Sequence, residues 1–228
     1  MANVKPMDRA EVGELEPFIN MAEAAMGFLP NSIMTMSHIR QLVPIFSLFV
    51  ATVRGADAKA LMNVIGPQMP DQEGAELNIG PDLIQLIAYA TSISSGCSYC
   101  QAHTSHGAHQ TGIEEEKLQD LLRYEESELF SLPEKAAIAI ALAAGRVPNE
   151  TSTKHFDNLR EHFEERQIVQ IVAVISLFGF LNRWNDTMAT QLESEPTEFA
   201  ESVLSDGGWS LGKHKGCLLY TSPSPRDS

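Results

Sequence analysis

Apolar residues recur at intervals of three and four along most of this 228-residue chain, and no stretch alternates apolar with polar residues at the period of a strand. That pattern predicts an all-α fold. Helical spacing runs from Glu14 to Met26, where Gly27 stops it, and from the Pro30-Asn31-Ser32 turn to about Arg40. A further helix opens at Val43-Pro44, a short one covers Ala58 to Ile65, and Gly66 to Gly74 reads as a loop. Pro81-Asp82 opens a strongly apolar helix to about Ser94, since proline and an acid both suit a first turn. Cys97 to Gly112, Glu114 to Tyr124, Pro133 to Gly145, Ser152 to Phe163 and Glu165 to about Leu192 complete the set.

Length fits one domain of ordinary size, expected over residues 1–215 with its core at about 27–192. The last residues, 216–228, share no periodicity with what precedes them. They are expected to be a non-native or disordered tail, and Cys217 is left out of the functional reading with them. A net charge of −14 argues against a nucleic-acid partner and against anionic membrane surfaces. The apolar run Ile168 to Leu181 is broken by Gln170 and Ser176. It falls short of the roughly 18 apolar residues of a span, so a buried core helix is expected. The first residues carry acids and no apolar signal core, from which a cytoplasmic location is expected.

The chemistry concentrates in Gly96-Cys97-Ser98-Tyr99-Cys100-Gln101-Ala102-His103. Cysteines three apart at a helix start share a face and can reach disulfide distance. Ser95-Gly96 lets the chain turn, which leaves Cys97 where helix N–H groups favour a thiolate. A thiolate attacks a peroxide oxygen or a disulfide sulfur, and the second cysteine resolves the product. His103 lies one turn beyond Cys100, about 60° round the helix, where it can move protons. Buried structural thiols are the bland alternative. A zinc site would have only Cys97, Cys100 and His103 as ligands, with no second motif to complete it, so no metal is expected. His106 and His109 rotate away from the cysteine face and read as solvated or capping residues.

The order Gly27-Phe-Leu-Pro-Asn31, an apolar helix, the Cys97–His103 stretch, Gly112 and then Asn182-Arg183 resembles the alkylhydroperoxidase D-like / carboxymuconolactone decarboxylase superfamily, in its peroxidase-related branch. The resemblance implies a helical bundle with the C-x-x-C pair at the N-terminus of a central helix. It implies a homo-oligomer (dimer, trimer or hexamer) that reduces small hydroperoxides with a thiol or dithiol electron donor, without metal or organic cofactor. By position it makes Cys100 the peroxidatic cysteine and Cys97 its proton donor and resolving partner, whereas helix electrostatics alone favour Cys97 as the more acidic thiol. The family's relay glutamate, twelve residues before the first cysteine, is Gln85 here. An amide can orient a thiol or water but cannot take and release a proton at neutral pH. The family's relay histidine position holds Thr104, with His103 as its substitute, and Tyr99 stands where some members have another histidine. Asn182 and Arg183 are expected near the site, and Asp186 at a helix-end salt bridge or oligomer contact.

The expected function is therefore a thiol-dependent peroxidase or disulfide oxidoreductase of peroxiredoxin-like chemistry. A non-catalytic thiol redox switch is one alternative, which Gln85 favours. A cofactor-free lyase of the carboxymuconolactone decarboxylase type is another, which the presence of both cysteines disfavours.

Overall fold

A computed structural model describes residues 2–72 and 74–215; the C-terminal tail anticipated above, with Cys217, lies outside the described residues. Regular structure is helical throughout, with no strand among the described residues. In chain order the α-helices are α1 (Glu16–Met26), α2 (Asn31–Met36), α3 (Leu42–Val53), α4 (Ala58–Ile65), α5 (Pro81–Ser94) and α6 (Ser98–Gln110). They continue with α7 (Glu115–Gln119), α8 (Leu132–Ala144), α9 (Thr153–Arg160), α10 (Glu165–Met188) and α11 (Ser194–Val203). The described chain divides into two compact units: residues up to Ile79 with Phe156–Val172, and Gly80–His155 with the residues from Ala173 on.

The first unit is built on the apolar faces of its short helices. Val12, Leu15, Phe18, Ile19, Ile33, Met34, Val43 and Ile65 form its core. Gly27, at φ +78°, ends α1 with its N–H on the Glu23 carbonyl, as a helix-terminal glycine does. Asp57 caps α4 by accepting from the Lys59 and Ala60 N–H groups at 2.9 and 3.1 Å.

The second unit is organised by α5, which packs on both α6 and α8. Its buried stretch Leu86-Ile87-Ala88-Tyr89-Ala90-Thr91-Ser92 leaves no solvated side over two turns, so neighbours must cover it all round. The only polar side chains in that stretch besides Tyr89 satisfy themselves: the Thr91 and Ser92 hydroxyls donate to the carbonyls one turn back. Close approach at the far end requires glycine, because a Cβ on Gly145 would stand 2.9 Å from Ser94 Cβ and 3.0 Å from the Thr91 carbonyl. There Ser94 bonds the Leu142 carbonyl and Ser95 the Gly145 carbonyl.

Most helix positions follow the spacing, with differences at the ends. The α2 helix stops at Met36 rather than near Arg40, and α7 gives way to a 3₁₀ turn, Leu121–Arg123. The α10 helix ends at Met188, where Ala189 takes a left-handed φ of +49°. Helix α11 was not anticipated, although Pro196, Phe199, Ala200 and Val203 carry an apolar face at helical spacing. By length and composition α10 could cross a membrane; 33% of its apolar window is buried, so it is only in part the buried core helix expected from the sequence.

The start of α8 is pinned by charge. Glu134 accepts from the Ser131 N–H at 2.8 Å and hydroxyl at 2.9 Å, and pairs with Lys117 of α7 at 2.6 Å. Burial pushes this carboxyl up, yet the Lys117 hydrogen bond and the two from Ser131 hold it below the usual carboxylate range. A folded pKa below the unfolded one means stabilisation present above the unfolded value and lost as pH falls through the folded one. Glu134→Ala should therefore cost about 1–2 kcal/mol near neutral pH. The difference should shrink in acid, as pH falls through the lowered folded value. Urea unfolding of both proteins at neutral and acid pH measures it; an undiminished difference in acid would contradict the electrostatic account.

Candidate active site

The site begins with the way one helix hands the chain to the next. Gly96, at φ +71°, closes α5: its N–H donates to Ile93 O at 3.0 Å, and the Cys97 N–H donates to Ser92 O at 3.2 Å. That paired closure is a Schellman motif. The residue that completes it, Cys97, is also the N-cap of α6, with extended φ −88° and ψ 101°. Its sulfur accepts from the Cys100 N–H, 3.4 Å away. Cys97 thus sits one step before the first turn where the sequence placed it within that turn, and Cys100 is the third helical residue.

Both cysteines are free thiols and both are buried, at 1% and 3% exposure. They are not equivalent. Cys97 is lowered to about 7, because the Cys100 side chain and N–H both bond its sulfur, against the opposing effect of burial. Cys100 is pushed up, by its hydrogen bond to Cys97, by burial and by the charge that Cys97 would carry. Asn185 of α10 opposes this only in part, its Nδ2 lying 3.6 Å from Cys100 Sγ. The carboxylate of Asp186 raises both thiols and is itself paired with Lys213 at 2.8 Å.

Around the dithiol, Tyr99 is a hub. Its hydroxyl donates to Glu193 Oε1 at 3.2 Å, and its ring lies 4.5 Å from that of His103 and 5.7 Å from that of His214. Burial and the neighbouring Glu193 push Tyr99 up to about 12, so it stays a phenol. His103 Nε2 is 2.7 Å from Glu193 Oε2. Burial works against this carboxylate, but the His103 hydrogen bond leaves it below its ordinary range. His103 is therefore engaged by a carboxylate on the exposed side rather than by a sulfur.

The other expected residues are spread out. Gln85 faces Gly107, where an added Cβ would meet its amide oxygen at 3.2 Å. That glycine is seven residues beyond Cys100, about 10 Å along the helix, and Gln85 bonds neither cysteine. The Thr104 hydroxyl donates to the Cys100 carbonyl at 2.6 Å and stays within its own helix. His106 and His109 pack on the Phe199 ring of α11 at 5.4 and 5.1 Å. Arg183 is exposed, whereas Asn182 is 3% exposed with both its amide nitrogen and oxygen buried and without a partner. Asn182 lies one turn before Asn185 on the same face of α10.

Sequence reasoning missed Asn185, Glu193 and His214. Asn185 carried a legible signal, the i, i+3 relation to Asn182. Glu193 and His214 carried none, since Glu193 only precedes α11, His214 ends a short 3₁₀ turn, and both meet Tyr99 only through tertiary contacts. No group of three or more His, Cys, Asp or Glu residues among the described residues is placed to hold a metal ion. A cleft of about 280 Å³ lies on another side of α6, between Tyr89, Gln101, Leu121 and Trp209, and neither cysteine lines it.

An all-helical unit that presents two unlike buried thiols at a helix start defines a dithiol protein of helical-bundle class. The comparisons with known proteins bear on its helical fold and family. The carboxymuconolactone decarboxylase family model matches residues 71–143, which hold α5, the cysteine turn and α6. The uncharacterised protein YdfG of Bacillus subtilis (strain 168) is 30% identical over 117 residues, 49% of this chain and 76% of its own length. The crystal structure of the debrominase Bmp8 is similar at 30% identity and a TM-score of 0.54, over 88% of this chain and 97% of that one. A cysteine-to-alanine variant of Bmp8 in complex with 2,3,4-tribromopyrrole is similar at 29% identity and a TM-score of 0.53, over 89% and 98%. The chain belongs to the carboxymuconolactone decarboxylase family.

The asymmetry of the thiols has a direct readout. In the reduced protein, iodoacetamide should alkylate one cysteine with a rate that rises through about pH 7, following the Cys97 thiolate. Cys97→Ser should remove that phase and leave Cys100, relieved of the Cys97 hydrogen bond and charge but still raised by burial and by Asp186, reacting at a higher pH. Retention of the neutral-pH phase in Cys97→Ser would assign the acidic thiol to Cys100 instead.

Proposed function

We propose that this protein is a thiol-dependent reductase that turns over small hydroperoxides through Cys97 and Cys100. The observation that carries the reading is the pairing of a thiol lowered to about 7 with a second, protonated thiol whose N–H bonds its sulfur. One sulfur attacks as a thiolate and the other remains available as proton source and resolving partner. The thiolate takes the terminal peroxide oxygen, the O–O bond breaks, and the alkoxide leaves as alcohol after gaining a proton. The resulting sulfenic acid condenses with the other thiol to give the disulfide and water. An external thiol or dithiol restores the pair by exchange.

The charge order supports Cys97 as attacking thiolate and Cys100 as resolving thiol, the reverse of the roles implied by the family resemblance. Asn182 fits a polar substrate: its unpartnered amide offers one acceptor and two donors, enough to bind a hydroperoxide oxygen and its proton. Burial of both sulfurs favours a small substrate over a protein disulfide.

A second electrophile suits the same pair. Similarity over 88% of the chain to a debrominase favours testing reductive debromination of a halogenated pyrrole. There two thiols and an aryl bromide give the disulfide, the hydrogen-substituted ring, bromide and a proton.

Single-turnover experiments with reduced protein distinguish these readings. Wild type should consume about one equivalent of hydroperoxide and lose two titratable thiols, both restored by dithiothreitol. Cys97→Ser should be inert, and Cys100→Ser should react once and stop as a sulfenic acid trapped by dimedone. Consumption of peroxide in the double serine variant would end the thiol mechanism. Release of bromide from tribromopyrrole without any reaction with hydroperoxides would replace the first reading with the second.

A further inference from the structure

The cleft on the other side of α6 has no part in the chemistry described so far. Its space of about 280 Å³ lies between α5, α6, α7 with the 3₁₀ turn after it, and the chain that follows α11. Leu118, Leu121, Val203 and Leu204 give it apolar walls, and Trp209 an aromatic one. The walls are tethered. Trp209 Nε1 donates to the Ser98 carbonyl at 3.0 Å, Gln119 Nε2 to the Val203 carbonyl at 3.1 Å, and Gln101 Nε2 to the Ser92 carbonyl at 3.5 Å. With those nitrogens spent on backbone, the side-chain oxygens of Gln101 and Gln119 have no hydrogen-bond partner among the described residues, and an amide oxygen only accepts. Asp206 lines the same cleft, is exposed, and has no ion pair among the described residues. No Lys, Arg or His lines the space. Tyr89 lines it too, at 4% exposure, and its hydroxyl has no hydrogen-bond partner among the described residues. Burial alone pushes this phenol up, so it stays protonated.

These groups select a ligand by what they have and what they lack. An anion would face a carboxylate with no cation to answer it, and like charges brought together are costly. Two amide oxygens and a carboxylate call for a donor, and an ammonium group carries three N–H donors and no acceptor. The leucines and the indole call for a ring. Space near the lower end of ordinary ligand pockets limits that ring to one, with a short arm. We propose that this cleft is a binding site for a small aromatic amine in its cationic form, with the ring among Leu118, Leu121 and Trp209 and the ammonium on Asp206 and the glutamine oxygens. The Tyr89 hydroxyl, buried and without a protein partner, meets a polar substituent on the far side of the ring. A buried hydroxyl left unpaired is costly, and such a substituent satisfies it.

The experiment is titration calorimetry on the full chain near neutral pH, with tyramine as the probe. Three relatives of tyramine each change one group: 2-phenylethylamine lacks the ring hydroxyl, tyrosol carries an alcohol in place of the amine, and 4-hydroxyphenylacetate carries an anion there. Tyramine should bind saturably at one site, more tightly than tyrosol, and 4-hydroxyphenylacetate should bind weakest. Asp206→Asn should weaken tyramine about fivefold, the upper range for an exposed ion pair, and leave tyrosol unaffected. Tyr89→Phe removes one oxygen; it should weaken tyramine by a factor of about two to ten and leave 2-phenylethylamine unaffected. No saturable binding of tyramine at millimolar concentration overturns the proposal. So does 4-hydroxyphenylacetate binding as tightly as tyramine, or an unchanged tyramine affinity in either variant. If Tyr89→Phe does not fold, the comparison of tyramine with 2-phenylethylamine on the wild-type chain takes its place, and equal affinities overturn the proposal. Binding is read without peroxide, halide or reductant, so its outcome is separate from that of the proposed reductase activity.

Discussion

The rest of the site depends on one turn, in which Gly96 closes α5 and Cys97 opens α6. A Schellman closure needs a residue at positive φ, which glycine supplies at no steric cost. It then needs one more residue to donate back to the finished helix. Here that residue donates backward from its N–H to Ser92 and accepts forward on its sulfur from Cys100. The two helices share an end, which leaves the sulfur no freedom to leave the α6 N-terminus. Its acidity follows from position: N–H donors and a neighbouring thiol surround it where an ordinary N-cap would place an oxygen.

Opposing charges around that turn are balanced by chain that follows it late in the sequence. Asp186 alone would work against ionisation of either thiol, and Lys213 answers it from the C-terminal segment. The short stretch after α10 does the joining. Its Thr190 carbonyl and Leu192 N–H hold His214, and its Glu193 carboxylate takes hydrogen bonds from Tyr99 and His103. Because Tyr99 lies between the two cysteines in sequence, this stretch and the C-terminal segment both bear on the residue that spaces the thiols.

Much of the fold was legible because helical spacing is a local signal. The α5 helix and its proline start could be read directly, and α4 lies where the apolar spacing put it. The cysteine pair was legible as two thiols at a helix start, where helix electrostatics favour Cys97 as the more acidic while the family resemblance assigns the attacking role to Cys100. What could not be read was pairing at long range. Gln85 was weighed for its distance in sequence from Cys97, but α5 and α6 pack so that its amide meets Gly107 instead. His103 was chosen for its angle on the helix, yet Glu193, ninety residues on, fixes where it points. His214 lies in a segment of glycine, serine and lysine with no periodicity, so nothing local marks it. Helix α11 differs from these: its spacing was present and simply lay beyond the last stretch read as helical.

The double duty of Cys97 makes the oxidation state of the pair a mechanical variable as well as a chemical one. A thiolate is a charged acceptor and holds the Cys100 N–H strongly, whereas a disulfide sulfur is neutral and holds it weakly. Two-electron oxidation therefore removes an electrostatic clasp from the first turn of α6 at the same moment that it adds a covalent one between the same two residues. The helix end trades a contact that tightens with ionisation for a tether of fixed length. On the proposed cycle a reducing partner would meet a differently secured helix from the one that met the oxidant, and reduction would restore the clasp as soon as the thiolate re-formed.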